Sequence, residues 1–396
     1  MKKTPKEELC RRAHALQGRM ESANIDGALI VQNADLFYFT GTVSQAYLFI
    51  PSAGEPIFLV RKNIDRVRGE SFLNRIIAIE KLKDLPGLLA EHGFPQIKRI
   101  GMELDVLPAN LYFRYRETMK PAEIVDIWPD IRAVRAVKSG YEVGILNEVA
   151  ALSDFMVETG RENLREGMTD VKLSSAVEGA ARARGHQGFV RTRAFNQEVY
   201  WGHLISGPDA ADPAFVDGTT GGYGLSYAFP HGSGWRHIKR HEPVIFDLLA
   251  AMHGYFIDQT RTFSIGPLPE KLDRAYNVAL DIQHRIAEMI RPGVAVAQLF
   301  SKAEQIAQSY RLGEHFMGHG KEQLSYCGHG IGLELDEYPA IAKQEKTLLG
   351  PGMVVALEPK FHFPKEGVVG VEDTFVVMDE GNQKLTGASY GVDVTK

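Results

Sequence analysis

The sequence predicts an α+β protein of two unequal domains, a smaller α/β domain over residues 1–132 and a larger α+β domain over residues 133–396. The length of 396 residues exceeds the roughly 150 residues of an average domain. The composition, 44% hydrophobic and 24% charged, is typical of a globular chain with a buried core. Strand-like and helix-like patterns alternate in the first third, whereas the second half places paired strands before and after two long helices.

In the smaller domain, the spacing of apolar residues separates helices from strands. Leu9, Ala13, Leu16 and Met20 recur at helical intervals and predict a helix over residues 5–23. Short apolar runs predict buried strands. The other predicted elements of this domain are strands at 28–31, 46–50, 56–60 and 99–102, and a helix around 83–93.

The larger domain begins with a long predicted helix over residues 141–161. A second helix is predicted over 169–184, with Thr169 or Asp170 as its N-cap. The segment 207–236 is rich in Asp, Pro and Gly and predicts a loop. The remaining predicted elements are strands at 243–251, 255–264, 352–361 and 367–378, and helices at 270–290 and 296–310.

Composition and charge exclude several classes of protein. Fifty acidic against 45 basic residues give a net charge of −5, which does not predict a nucleic-acid-binding surface. No apolar stretch approaches the ~18 residues of a membrane span, and the charged N-terminus lacks a following apolar region, so we expect no secretory signal. Cys10 and Cys327 are too few for an extracellular disulfide framework. We therefore expect a cytoplasmic protein without membrane or nucleic-acid partners.

Two acids fall in neighbouring predicted strands. His253 and Gly254 suit a two-residue hairpin turn between these two strands. With that turn, Asp247 faces Thr260, and Asp258 is its diagonal neighbour on the same face, at a backbone distance of ~7–8 Å. Two carboxylates that point into a core need a cation to join them. The alternative is a solvated hairpin with two surface acids.

A second predicted hairpin repeats this arrangement. Glu358 and Glu372 lie 14 positions apart. A turn of odd length, such as residues 364–366, places them directly opposite each other on one face. Both have apolar neighbours in the sequence, which weakens the alternative of a solvated face.

A histidine between glycines lies between the two hairpins. Gly328 and Gly330 flank His329 and allow the backbone to bring its imidazole close to another group. A lone histidine is more often a hydrogen-bonded structural residue than a ligand. Because four carboxylates are predicted to converge nearby, we expect His329 to be a ligand instead.

At this point the chain resembles the pita-bread metallopeptidase superfamily, which includes aminopeptidase P, prolidase, methionine aminopeptidase and the metal-free creatinase. The resemblance lies in Gly-Tyr-x-x-Asp-x-Thr-Arg-Thr at 254–262, Gly-His-Gly-Ile-Gly-Leu-Glu at 328–334, Glu358-Pro, and Glu372-Asp-Thr. Residues 1–132 resemble the N-terminal domain that creatinase, prolidase and aminopeptidase P share. The resemblance implies a pita-bread catalytic domain after a creatinase-type N-terminal domain.

The resemblance also implies two divalent metal ions. It implies that Asp258 and Glu372 bridge both ions, that Asp247 binds one, and that His329 and Glu358 bind the other. Carboxylate oxygens with one imidazole suit Mn, Co, Fe or Zn. Two ions ~3.5–4 Å apart hold a bridging hydroxide and polarise a substrate carbonyl. Glu358 is then the implied general base, which passes the proton on to the leaving amine.

Three positions depart from the superfamily pattern. Asp336 stands seven residues after His329, where proline-specific relatives usually carry a second histidine. Gly370 stands two residues before Glu372, where prolidase-like members often have an arginine, and Leu249 replaces a common glycine. We expect Asp336 to favour a substrate with a cationic or amino group. The alternative is that Asp336 pairs with a nearby Lys or Arg.

Other side chains are expected to serve the substrate. The loop before the first metal strand contains His203 and His231, and by resemblance His231 is a substrate-binding or proton-shuttling residue. The alternative for His231 is an ordinary loop histidine. Arg193, with Arg191, either binds a substrate carboxylate or forms a salt bridge of the scaffold. Thr260 is expected to support a ligand carboxylate.

These observations favour a dinuclear metal hydrolase, an Xaa-Pro-type aminopeptidase or dipeptidase that acts on a small peptide or amide. The resemblance implies a homodimer. One alternative is a creatinase-like hydrolase or lyase of a small nitrogenous metabolite on the same fold. Another is a non-catalytic binding protein, against which the retention of all five ligand residues argues.

Overall fold

The computed structural model describes residues 2–216 and 218–394. Its contacts divide the chain into two compact units, Met1–Arg135 and Ala136–Lys396. The predicted fold class is confirmed, because the first unit is α/β and the second is α+β. Among the described helices, none combines the length and the hydropathy that a membrane crossing requires.

The first unit is built on one mixed sheet of six strands, in the order β4-β3-β2-β1-β5-β6. The strands are β1 (Gly27–Ile30), β2 (Ala46–Pro51), β3 (Ile57–Val60), β4 (Ile76–Ala78), β5 (Arg99–Met102) and β6 (Glu123–Asp126). The helices are α1 (Lys6–Ser22), α2 (Asn33–Thr40), α3 (Ile64–Glu70), α4 (Leu85–Glu91), α5 (Ala109–Thr118) and α6 (Trp128–Ala136). Apolar residues of the sheet pack with those of α4 and α5 in one core.

Helix α2 has no counterpart among the predicted elements. Its sequence is an apolar run without helical alternation, so periodicity gives no signal. The helix is defined instead at its ends. The Gln32 side chain accepts hydrogen bonds from the N–H groups of Ala34 and Asp35, and Gly41 ends the helix at a φ of 76°.

The second unit combines four long helices with three small sheets. The helices are α7 (Gly140–Asn163), α8 (Asp170–Ala183), α9 (Glu270–Met289) and α10 (Val296–Ser309). The strands are β7 (Gly202–Ser206), β8 (Val244–Met252), β9 (Tyr255–Phe263), β10 (Gly328–Gly330), β11 (Val354–Leu357), β12 (Lys360–Phe363), β13 (Gly367–Gly370), β14 (Asp373–Val377) and β15 (Asn382–Lys384). The sheet orders are β7-β8-β9, β10-β11-β14-β15 and β12-β13. Helices α9 and α10 share a core with β11–β14.

The hairpin of β8 and β9 has the predicted register. His253 and Gly254 form the turn with φ values of 55° and 88°, the positive values of a type I′ turn. Asp247 faces Thr260, and Asp258 lies opposite Leu249. The two acids therefore share one face of the hairpin, as the alternation of side chains requires.

The second hairpin differs from the prediction in its continuity. The strands expected at 352–361 and 367–378 are each broken, after Leu357 and after Gly370. Pro359 follows the first break and has no N–H to donate to a ladder. The pairing on both sides of the breaks keeps one register, and the turn is residues 364–366 as predicted. The breaks fall at Glu358 and Glu372, which face each other across the hairpin.

The segment before β8 is only partly the predicted loop. His203 lies in strand β7, opposite Asp247 on β8, so its assignment to a loop is wrong. Outside Asp217, which is not among the described residues, the segment 207–236 has a short 3-10 turn and irregular structure. Strand β7 was not predicted, because its five residues show no clear alternation of apolar and polar side chains.

A contact between α7 and β8 gives a test of how tightly the second unit is packed. A Cβ on Gly160 would lie 2.4 Å from a ring carbon of Phe246, whereas one on Gly144 of the same helix meets nothing within 4 Å. We expect Gly160→Ala to lower the free energy of unfolding by about 1–3 kcal/mol. Gly144→Ala should raise it by up to about 1 kcal/mol, since alanine favours a helix. Urea denaturation of both variants measures the difference, and equal effects would contradict this packing.

Candidate metal centre

The two hairpins of the second unit dock at the predicted site. The backbones of Thr260 and Glu372 exchange hydrogen bonds, with N–O distances of 3.4 and 3.0 Å. The Thr374 hydroxyl donates to the carbonyl of Asp258, and β10 pairs with β11, which brings in His329. The fold thereby brings all five predicted ligand residues together: Asp247, Asp258, His329, Glu358 and Glu372.

His329 presents one ring nitrogen to three of the carboxylates. Its Nε2 lies 3.7 Å from Asp258 Oδ2, 3.7 Å from Glu372 Oε1 and 4.0 Å from Glu358 Oε1. Its Nδ1 donates to the carbonyl of Gly330 at 3.0 Å. With Nδ1 bonded to this carbonyl, Nε2 is the ring nitrogen that faces the acids and that is placed to bind a cation.

Two oxygen atoms of this cluster have no partner among the described residues. Asp258 Oδ1 and Glu372 Oε1 are buried and accept no hydrogen bond. Ligand atoms of Asp258, Glu372 and His329 all lie within 4.8 Å of one another. Buried polar atoms are nearly always paired, so this position fits a divalent cation. Two carboxylates and one imidazole suit Mn, Co, Fe or Zn.

Thr260 lies between two of the acids. Its hydroxyl is 2.8 Å from Asp247 Oδ1 and 2.9 Å from Glu372 Oε2. It is fully buried, and a hydroxyl at this position orients the carboxylates from behind.

Lys360 is the functional residue that sequence reasoning missed. Its side chain is 1% exposed, and its Nζ donates to a group of four oxygens. They are Thr219 Oγ1 at 2.8 Å, Glu358 Oε2 at 2.8 Å, Asp247 Oδ2 at 3.2 Å and Glu372 Oε2 at 3.3 Å. One feature of the sequence could have indicated this contact. Lys360 stands two residues after Glu358, and alternate residues of a strand share a face.

The acids of the cluster differ in their electrostatic state. Burial and the charge of Glu372 raise the pKa of Asp258 well above its usual range. Burial, against the opposing effect of Lys360, raises the pKa of Glu372 to about 7. Burial also acts to raise the pKa of Asp247, but Lys360 and His203 outweigh it and hold that pKa below the usual range. The ammonium of Lys360 thus compensates the negative charge near Asp247. It compensates the negative charge near Asp258 only in part.

A cleft opens beside these acids and is lined by other predicted residues. Its empty space is about 570 Å³ when the part open to solvent is included. His231 lines it, is buried, and has an Nδ1 without a hydrogen-bond partner among the described residues. Asp336 also lines it, with Oδ1 3.6 Å from Nδ1 of His329. Burial lowers the pKa of His231, so its imidazole is neutral at pH 7.

His203 and Thr220 complete the wall next to Asp247. His203 Nε2 lies 3.6 Å from Asp247 Oδ2 and contacts the Thr220 hydroxyl. Thr220 in turn donates to Asp247 Oδ2 at 2.9 Å. Burial lowers the pKa of His203 to about 3. The prediction of His203 as a mere loop residue missed this contact because β7 itself was missed.

Arg193 lies beside Glu334 and outside the lining of this cleft. Its Nη1 lies 3.6 Å from Glu334 Oε2, and it is not among the residues that line the cleft. The structure thus favours the scaffold salt bridge over the carboxylate-binding role. Cys327 is fully buried, as expected for a small apolar residue.

Known proteins resemble the chain along nearly its whole length. It is 28% identical over 370 residues to an Xaa-Pro dipeptidase of Pyrococcus horikoshii, covering 93% of this chain and 94% of that protein. The prolidase structure from Pyrococcus horikoshii matches with a TM-score of 0.80 at 25% identity, over 96% of this chain and 99% of that one. An Xaa-Pro dipeptidase structure from Bacillus anthracis matches with a TM-score of 0.82 at 25% identity, over 97% and 99%.

Two family models match as well, and they confirm the resemblance seen in the motifs. The Creatinase/Prolidase N-terminal domain matches residues 12–137. Metallopeptidase family M24 matches residues 144–379. A dinuclear centre is consistent with that family. Since the second match covers more than half of the chain, the chain belongs to metallopeptidase family M24.

Proposed function

We propose that the chain is a metal-dependent peptidase that cleaves the first bond of small Xaa-Pro peptides. The observation that carries this proposal is the unpartnered pair of carboxylate oxygens, on Asp258 and Glu372, beside Nε2 of His329 at the floor of a cleft. The Xaa-Pro dipeptidase of Pyrococcus horikoshii supports the substrate class. A divalent ion bound at this position supplies polarisation of the scissile carbonyl.

In this proposal Glu358 moves the proton. Its Oε2 is held by Thr219 and Lys360, at 3.1 and 2.8 Å. Its Oε1 faces His329 and is free of those two contacts. A carboxylate fixed at one oxygen presents the other to an attacking water, takes its proton, and returns it to the leaving amine.

His231 and Asp336 are proposed to bind the substrate. The neutral imidazole of His231 supplies an uncharged hydrogen-bonding group in a buried part of the cleft. Asp336 supplies a carboxylate at the rim, 44% exposed. This pairing suits a small peptide whose free amino group lies near the acid.

The proposed ligands are Asp247, Asp258, His329, Glu358 and Glu372, and the proposed metals are Mn, Co, Fe or Zn. We also propose a cytoplasmic homodimer. Two free cysteines support a reducing compartment, and the resemblance supports the dimer. Sedimentation should give twice the 44.0 kDa of the chain.

A second candidate is a creatinase-like hydrolase of a small nitrogenous metabolite. Asp336 favours it, because an acid there suits a cationic nitrogen better than an imidazole does. A panel of Xaa-Pro dipeptides, longer Xaa-Pro peptides, simple amides and guanidino compounds separates the two candidates. Turnover of guanidino compounds alone would favour the second.

The first prediction of the proposed function concerns the proton-transfer residue. We expect the metal-loaded wild-type protein to hydrolyse Xaa-Pro dipeptides, and Glu358→Gln to lower kcat by about 10²–10⁴-fold, the usual contribution of general acid–base catalysis. Glu366→Gln, at a half-exposed residue paired with Lys271, is the matched control and should leave kcat unchanged. Equal rates for Glu358→Gln and the wild type would refute the assigned role.

The second prediction concerns the metal. Saturating Mn²⁺ or Co²⁺ at about 100 times Kd should stabilise the protein by about 2.7 kcal/mol, visible as a rise in Tm of several degrees. Asp258→Asn should abolish most of that rise, because it removes a ligand carboxylate. Asp281→Asn, on the surface of α9 beside Arg285, should retain it. An identical rise in all three proteins would place the bound ion elsewhere.

The third prediction concerns specificity. Asp336→Asn should reduce the preference for substrates with a cationic group over neutral ones by up to about fivefold in kcat/KM, the effect of a partly exposed charge pair worth up to about 1 kcal/mol. Asp65→Asn, at a 95% exposed residue of the first unit, is the control. An unchanged ratio in Asp336→Asn would mean that Asp336 does not select the substrate.

A further inference from the structure

The Lys360 ammonium occupies a defined position inside the acid cluster. It donates to one oxygen each of Asp247, Glu358 and Glu372, at 2.8–3.3 Å. A lysine ammonium has three protons to donate, so these carboxylates, with the hydroxyl of Thr219, leave it no unused proton. Thr219 adds a hydroxyl contact at 2.8 Å. The charged end of Lys360 is thus fully engaged by the cluster rather than directed to solvent.

This position overlaps the one that a second metal ion needs. An ion shared by Asp247 and Glu372 has to lie roughly 2.0–2.2 Å from an oxygen of each. Asp247 Oδ2 and Glu372 Oε2 already accept hydrogen bonds from Nζ of Lys360. A cation between them would compete for the same lone pairs and repel the ammonium at close range.

The other side of the cluster is different. Asp258 Oδ1 and Glu372 Oε1 have no partner among the described residues. Nε2 of His329 lies 3.7 Å from Glu372 Oε1. Glu372 therefore directs one oxygen to the ammonium and the other to the position that fits a divalent ion.

The backbone opposite Lys360 accommodates its side chain. Lys360 pairs with Gly370 across β12 and β13. A Cβ on Gly370 would lie 2.6 Å from Cγ of Lys360, closer than real Cβ contacts. The absence of a side chain at 370, which the sequence showed as a departure from the pattern of prolidase-like members, thus leaves room for the lysine stem.

Charge also favours a single divalent ion. The acids facing Nζ of Lys360 are Asp247, Asp258, Glu358 and Glu372. One divalent ion and one ammonium leave a single negative charge on these carboxylates. Two divalent ions together with the ammonium would give these groups a charge of +1, and only a bound hydroxide would bring it back to zero.

We propose that the ammonium of Lys360 takes the place of one of the two divalent ions, so that each chain binds one ion, at Asp258, His329, Glu358 and Glu372. This inference rests on the metal-dependent function proposed above and refines the composition of its centre. Lys360 then acts as a fixed cation that holds Asp247 and Glu358 in position.

The test is the Mn²⁺ content of the full-length protein. Apoprotein is saturated with Mn²⁺, freed of unbound ion by gel filtration, and analysed by elemental analysis and electron paramagnetic resonance. We expect one Mn²⁺ per wild-type chain with the hyperfine signal of an isolated ion. Lys360→Met and Lys360→Gly should bind two, with a signal altered by magnetic coupling, since paired ions lie ~3.5–4 Å apart. Lys343→Met, at an exposed lysine paired with Glu304, should bind one.

The outcomes separate this inference from the proposed function. Two coupled Mn²⁺ ions per wild-type chain, with Xaa-Pro hydrolysis intact, would overturn the role of Lys360 alone, and this arm needs no variant. One ion per chain in both Lys360 variants would likewise show that the lysine is not what excludes the second ion. A wild-type protein that binds no divalent ion would instead contradict the proposed function.

Discussion

The second unit depends on one electrostatic constraint, the burial of four carboxylates within reach of one another. Such a cluster is stable only if cations or protons compensate its charge. The charge is compensated differently on the two sides of the cluster. Lys360 compensates Asp247 and Glu358, whereas the raised pKa values of Asp258 and Glu372 mark the side where compensation is incomplete. Asp258 and Glu372, together with His329, are the described residues whose arrangement fits a divalent cation.

Backbone pairing keeps these acids in place. The register of β8 and β9 fixes Asp247 and Asp258 on one face, and the reciprocal hydrogen bonds of Thr260 and Glu372 join the two hairpins. The strands end at the second pair of acids, so Glu358 and Glu372 follow paired segments without being part of them. Ladder hydrogen bonds on both sides restrict their backbones, which pre-organises these carboxylates.

Much of this arrangement could be predicted, because it follows from short-range rules. A two-residue turn and a period of two were enough to place Asp247, Asp258 and Thr260 on one face. His203 could not be placed in the same way, since its strand is short and lacks alternation, and its partner Asp247 is 44 positions away. Lys360 stands two residues after Glu358 in the sequence. Its fit in the cluster depends on Gly370, with which it pairs across the hairpin. That pairing could not be predicted, because the two strands of the hairpin are broken.

The close contact between Lys360 and Gly370 has a consequence for how such a site can change over generations. A Cβ at 370 would lie 2.6 Å from Cγ of Lys360, 2.7 Å from the carbonyl oxygen of Pro359 and 2.8 Å from Cα of Lys360, so the lysine stem and the backbone at 359–360 both exclude a side chain there. Shortening the side chain of residue 360 would remove only the first of these contacts, so the backbone of this hairpin would also have to move before a larger residue fits at 370. Substitutions at these two neighbouring positions should therefore have effects on stability that are not additive. The residues that can stand opposite Lys360 are thus limited by the path of the backbone as much as by the charge of the cluster.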